Sequence, residues 1–458
     1  MIRRLARTAL ACLAFPALAC LAPAAAGAGA GPDTLADSTW VDRWKLKNGL
    51  EVTVRHVPAC NGVAVIAAYR VGRDQDPRGR AGMADLLCEV LFSAAAGDVP
   101  ERSREQMDDL RPLGWNLQVA PRFSLMSEVA TVGQFPGVLR QMAARMRGVT
   151  VTDSILAQAR RTTVREQGEK YVGSPERTLF SQMRDLAMGV TDEDLIRRVA
   201  GRTLQDLTGK EVGDRLRRLY VPANAVLALA GNLDGVDLHA LVRNLFEDIP
   251  GGTAQPEPPS PRLTAAGRAI RRPTLEQPLG GVGIIAPAIT DTLHANFYLN
   301  ALVVGRFCEE TWGPAQPPLP LRFRYPVFAD AQLVQFFPPV APGETDADQL
   351  GVAFQDAVEK LAVTVVAKDT FDELRVNHRW LFGGELTPSL LRRIRQHSGT
   401  LHTLASTLAV RALWGSEEFW ARYLARFSDP LVTGGARWTD YFESPDHVVR
   451  LLLTPAKH

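Results

Sequence analysis

The chain has 458 residues, of which 46% are hydrophobic and 22% charged; this is the balance of a globular protein, at a length that calls for two or more cores. Its 52 Lys and Arg nearly match 50 Asp and Glu, which argues against nucleic acid or an anionic membrane as the main partner. Beyond the N-terminal segment only Cys60, Cys88 and Cys308 remain, odd in number and without a CxxC pair, so neither a disulfide framework nor a zinc ribbon is expected.

The N-terminus carries Arg3, Arg4 and Arg7, then a short apolar stretch, then Ala and Gly sites. That order predicts a removed secretory signal over residues 1–28, with cleavage after Ala26 or Ala28, and an exported, periplasmic protein. The stretch is short for a membrane anchor, and Cys20 lacks the Leu three residues before it that a lipoprotein acceptor has. No later segment is apolar enough to span a bilayer.

After a polar lead-in, "LKNGLEVTVRHVP" sets an Asn-Gly turn before alternating Leu50, Val52 and Val54, and "GVAVIAAYRVG" continues as a second strand. "GMADLLCEVLF" reads as a helix, with Leu86, Leu87, Val90, Leu91 and Phe92 forming its apolar stripe; Asp85, Cys88 and Glu89 share another face at i, i+3 and i+4. A strand pair over "LGWNLQVAPRFSLMSEVATV", the helix "GVLRQMAARMRG" and a long helix broken near Gly173 follow. "VPANAVLALAG" then reads as a turn and a buried strand. Residues 251–274, rich in Pro and Gly, read as a linker. Beyond it the pattern repeats. "GGVGIIAPAI" is a strand, "ANFYLNALVVGRF" a helix, "ADAQLVQFFPPVAPG" a strand, and "DHVVRLLLTP" mirrors "ANAVLALAG". The expected fold is α+β, with two related domains at 40–250 and 275–458, each a mainly antiparallel sheet packed with helices.

In this order the segments "LKNGLEVTV", "GRDQDPRGRAGMADLLCEVLF", "YVPANAVLALAGNLD" and "LFEDIPGG" resemble the pitrilysin/insulinase family of metallopeptidases, in the short two-domain branch that includes mitochondrial processing peptidase. The resemblance covers nearly all of the mature chain and is looser in its second half. It implies a His-x-x-Glu-His zinc motif on the helix 82–92, with a further Glu on a later helix. At the matching positions stand Asp85, Cys88 and Glu89, with Glu166, and Glu169 nearby, where the third ligand would be. No two histidines elsewhere are four residues apart. The resemblance therefore implies a degenerate site, its polar residues solvated or paired with Arg or Lys. The alternative weighed is an oxygen-ligand site of Asp85, Glu89 and Glu166, suited to calcium or magnesium.

A family member without the motif is expected to be a catalytically inactive homologue, the non-catalytic, substrate-binding subunit of a periplasmic two-chain peptidase. Zinc is then expected only in a partner subunit of the same family. The family's substrate-binding Arg and Tyr map to Tyr325 with Arg322 or Arg324, and its peptide-pairing strand edge to 114–121, including Trp115, Asn116 and Leu117. The alternative function is an envelope binding or scaffold protein that reuses the fold.

Overall fold

A computed structural model describes residues 39–255, 262–272, 274–315, 319–328, 332–362, 368–428 and 440–455. The expected signal segment, 1–28, lies outside the described residues, and among those no helix is long and apolar enough to cross a membrane. Among the described residues, eleven strands form two sheets. In the first half they are β1 (Trp40–Lys45), β2 (Glu51–His56), β3 (Val63–Tyr69), β4 (Trp115–Val119), β5 (Ser124–Ala130) and β6 (Ala225–Gly231). The second half supplies β7 (Ala266–Arg271), β8 (Leu279–Ile285), β9 (Phe323–Arg324), β10 (Leu333–Phe336) and β11 (Val448–Thr454).

The sheet orders are β1-β2-β6-β3-β5-β4 and β7-β11-β8-β10-β9. In the first, β2 runs parallel to β6 and every other pair is antiparallel. In the second, β7 runs parallel to β11 and the rest are antiparallel. Laid over one another, β2, β6, β3, β5 and β4 take the places of β7, β11, β8, β10 and β9. The halves thus share one topology, with β1 as an extra edge strand, and the mirrored final strands expected from sequence are β6 and β11.

Two expectations change. The segment 251–274 is not a linker throughout, because Ala266–Arg271 pairs along β11 as β7. The polar lead-in contains β1, whose exposed Trp40 and Val41 hide the alternation that marks a half-buried strand.

Each half lends a helix to the other half's sheet. Helix Pro175–Ala187 packs on β7, β8 and β11, and helix Ser398–Trp414 packs on β2, β3, β5 and β6. All seven residues of β3 are therefore buried. Val63, Val65, Ala67 and Tyr69 join the core beneath the first half's own helices, whereas Ala64, Ile66 and Ala68 join the core that contains Leu401, Leu404 and Leu408. A strand covered on both faces needs an unbroken apolar run, and "VAVIAAY" supplies one. On the second sheet Gly281 permits the close approach, since a Cβ there would lie 2.8 Å from Met183 Cε.

Candidate functional site

Helix Met83–Ser93 starts at Gly82, whose φ of 92° is a conformation that favours glycine. Asp76 caps it, its carboxylate accepting the N–H groups of Gly82 at 2.7 Å and Ala84 at 2.8 Å. At the other end the Phe92 carbonyl accepts Arg102 Nε at 3.0 Å and Arg145 Nε at 3.2 Å, which places two cations at the negative pole of the helix dipole. The apolar stripe enters the core of the first half. Asp85, Cys88 and Glu89, all buried, are left on the side of the neighbouring helix Asp153–Gly168.

Each acid on that side meets a base. Arg73 grips Asp85 with two prongs, Nη2 to Oδ1 at 2.8 Å and Nε to Oδ2 at 2.9 Å. Lys170 Nζ at 3.5 Å and Gln167 Nε2 at 3.3 Å add to it. Arg104 spans two carboxylates, Glu89 Oε2 at 2.7 Å and Glu166 Oε1 at 2.8 Å. Burial alone would raise the Asp85 pKa, but the charges and hydrogen bonds of Arg73 and Lys170 outweigh it and hold the group well below the usual carboxylate range. Burial, then the charges of Glu89 and Asp85, push the Cys88 thiol far up and keep it protonated.

These residues do not fit zinc. The position has no imidazole, and a guanidinium lies between two of the carboxylates. Among the described residues no group of three or more His, Cys, Asp or Glu is placed to hold a metal ion.

Asp76 carries a pH signature. Burial and the nearby Asp85 charge raise it from an ordinary 3.8 to about 7, against the pull of the Ala84 and Gly82 N–H groups and Arg73. The folded state then holds a proton that the unfolded chain releases above about pH 4. The resulting stability is complete below that pH and is lost as pH rises through about 7. Denaturant titrations between about pH 5 and pH 8 will show Asp76→Asn losing less stability than the parent over that interval.

Asp85, Cys88, Glu89 and Glu166 line one wall of a cavity of ≈ 680 Å³ that both halves enclose, in the size range of ligand clefts. A second wall is β4, with Asn116, Leu117, Gln118 and Val119, and a third comprises Phe180 with Arg324, Pro326 and Gln335. β4 pairs only with β5 among the described residues, and is an edge. Val129 N–H donates to Gly114 O and Ala120 N–H to Phe123 O. With Asn116 opposite Ser127, the alternation of an antiparallel ladder turns the N–H and C=O of Trp115, Leu117 and Val119 away from β5. The Trp115 ring stacks on Phe92 at 5.1 Å and its Nε1 donates to Asp108, which fixes the strand to the helix below.

The expected Arg and Tyr pair is divided. Arg324 lines the cavity, its guanidinium 4.8 Å above the Phe180 ring and 3.4 Å from Gln335 Oε1. Arg322 is buried and clamps the carbonyls of Gly313, Pro314 and Phe337. Tyr325 turns into the second half's core, its hydroxyl hydrogen-bonded to the buried His294 at 2.9 Å, with His294 in turn bonded to Tyr423. Strand alternation separates Arg324 from Tyr325, because neighbours on β9 and just after it point to opposite faces. The bases Arg73, Arg104 and Lys170 have no spacing that marks them in the sequence; only the fold brings them to the acids.

Residues 206–310 match the family model of the peptidase M16 inactive domain. The structure superposes on a protease from Helicobacter pylori with a TM-score of 0.70 at 16% identity, covering 91% of this chain and 100% of that one. The chain has the M16 peptidase fold. An M16 inactive domain from Pseudomonas fluorescens matches at a TM-score of 0.64 and 14% identity, over 91% of this chain and 98% of that one. The periplasmic protease PqqL from Escherichia coli matches at 0.62 and 12% identity, over 94% of this chain but 48% of that one. No curated protein matches the sequence. The resemblance to pitrilysin/insulinase-type peptidases thus holds in the fold, and in the family model over residues 206–310, whereas the His-x-x-Glu-His of that family is absent here.

Proposed function

We propose that this chain is the non-catalytic, peptide-holding subunit of a two-chain M16 peptidase of the periplasm, whose partner subunit carries the zinc. The observation that carries this reading is a pairing of two features in one cavity. The metal position is filled by ion pairs, whereas the β4 edge beside it keeps open main-chain donors and acceptors at Leu117 and Val119. Such an edge takes an extended peptide as an added strand. The likeness to an M16 inactive domain supports a role without catalysis. That this chain spans about half of PqqL, a periplasmic protease, supports a unit that works beside a second one.

The test is co-purification with an M16 peptidase from the same genome that has an intact His-x-x-Glu-His, followed by peptide cleavage assays. The partner should cleave faster with this chain than without it. Equal rates would remove the subunit role and leave the envelope scaffold reading in its place.

A further inference from the structure

Between Glu89 and Glu166, where the resemblance puts metal ligands, the structure puts a cation. Arg104 is the first residue of helix Arg104–Leu110, and a reciprocal cap fixes its root: Gln106 N–H donates to Ser103 Oγ and Ser103 N–H to Gln106 Oε1. From there the guanidinium reaches Glu89 on helix Met83–Ser93 and Glu166 on helix Asp153–Gly168, with a separate Nη for each. A planar fork with several N–H donors can serve two carboxylates on two elements at once, which a lysine ammonium does less well. The Glu89 side chain is only 4% exposed, and a buried carboxylate that lost its charged partner would destabilise the fold.

We propose that the Arg104 guanidinium takes over the electrostatic and mechanical part of a metal's role here. It ties together the two helices that line this wall of the cavity and closes the position to divalent cations. This holds whether or not the cavity binds peptides.

Arg104→Ala should lower the melting temperature by about 3 °C, because its pairs are partly exposed and the chain is large. Low-millimolar methylguanidinium should restore most of that loss. Tetramethylammonium, of equal charge but without N–H donors, should not. The parent protein, dialysed against zinc chloride and then against plain buffer, should retain no stoichiometric zinc by elemental analysis. Should Arg104→Ala fail to fold, Arg104→Lys replaces it, with a melting temperature below the parent's because one ammonium serves two carboxylates less well than the fork. One equivalent of zinc in the parent would overturn the proposal, as would an unchanged melting temperature in the variant, or rescue by both cations alike.

Discussion

Glu128→Ala will lower the midpoint of thermal unfolding by about 5 °C without changing the secondary structure. Glu128, on β5, is 2% exposed, and its two oxygens hold Arg102 Nη1 at 2.9 Å and Arg111 Nε at 2.7 Å. Both arginines are themselves nearly buried. A third, Arg145, is 2% exposed and shares the Phe92 carbonyl with Arg102. Burial and the Arg102 charge lower its pKa to about 9, which Glu128 partly opposes. Truncating Glu128 leaves these guanidiniums without their carboxylate, and breaking a buried pair in this way costs about 3–5 kcal/mol. The converse change, all four residues to apolar ones of similar volume, will cost far less, because the desolvation cost of the charges leaves with them. Differential scanning calorimetry on both variants separates the two cases. A Glu128→Ala protein that melts with the parent would show the cluster to be solvated.

Severed between residues 255 and 262, the chain will yield two fragments neither of which melts cooperatively alone, and which regain a single transition when mixed. The reason is the exchange of helices. Leu179 and Met183 of the first half sit in the core formed by Leu451 and Leu453, and Leu401, Leu404 and Leu408 of the second sit against Ile66 and Val226. Separation exposes these five large side chains, at about 1.5–3 kcal/mol each. The sum, on the order of 10 kcal/mol, rivals the whole stability of an ordinary domain. Separate expression and circular-dichroism melts check this. A fragment with its own sharp transition and native near-ultraviolet signal would mean that the halves fold independently.

The same exchange explains what was legible in the sequence and what was not. Helix Met83–Ser93 was legible because one stripe is apolar and the other face carries Asp85, Cys88 and Glu89. Helix Ser398–Trp414, buried on nearly every side, has no contrasting polar face, so periodicity gives it no signal. β7 was hidden by the Pro-rich stretch before it and by its exposed alternate residues. At the site, the resemblance singled out Asp85, Cys88, Glu89 and Glu166, and the structure gathers all four around one cavity. Their partners could not be placed, since Arg73, Arg104 and Lys170 reach the acids from three separate segments. Tyr325 and Arg322 were candidates because of their place in the chain, but which face of the strand they occupy depended on the register with β10, which no local pattern specified.

As proposed, the β4 edge takes a peptide beside acids already paired with Arg and Lys. Hydrogen–deuterium exchange of the intact chain, with and without a disordered peptide selected for binding, tests it most directly. Saturating peptide should slow exchange at the amides of Leu117 and Val119, which β5 does not use, and leave those of β1, at the far edge of the same sheet, unchanged. Protection elsewhere with no change at Leu117 and Val119, under conditions where binding is measured independently, would contradict the account.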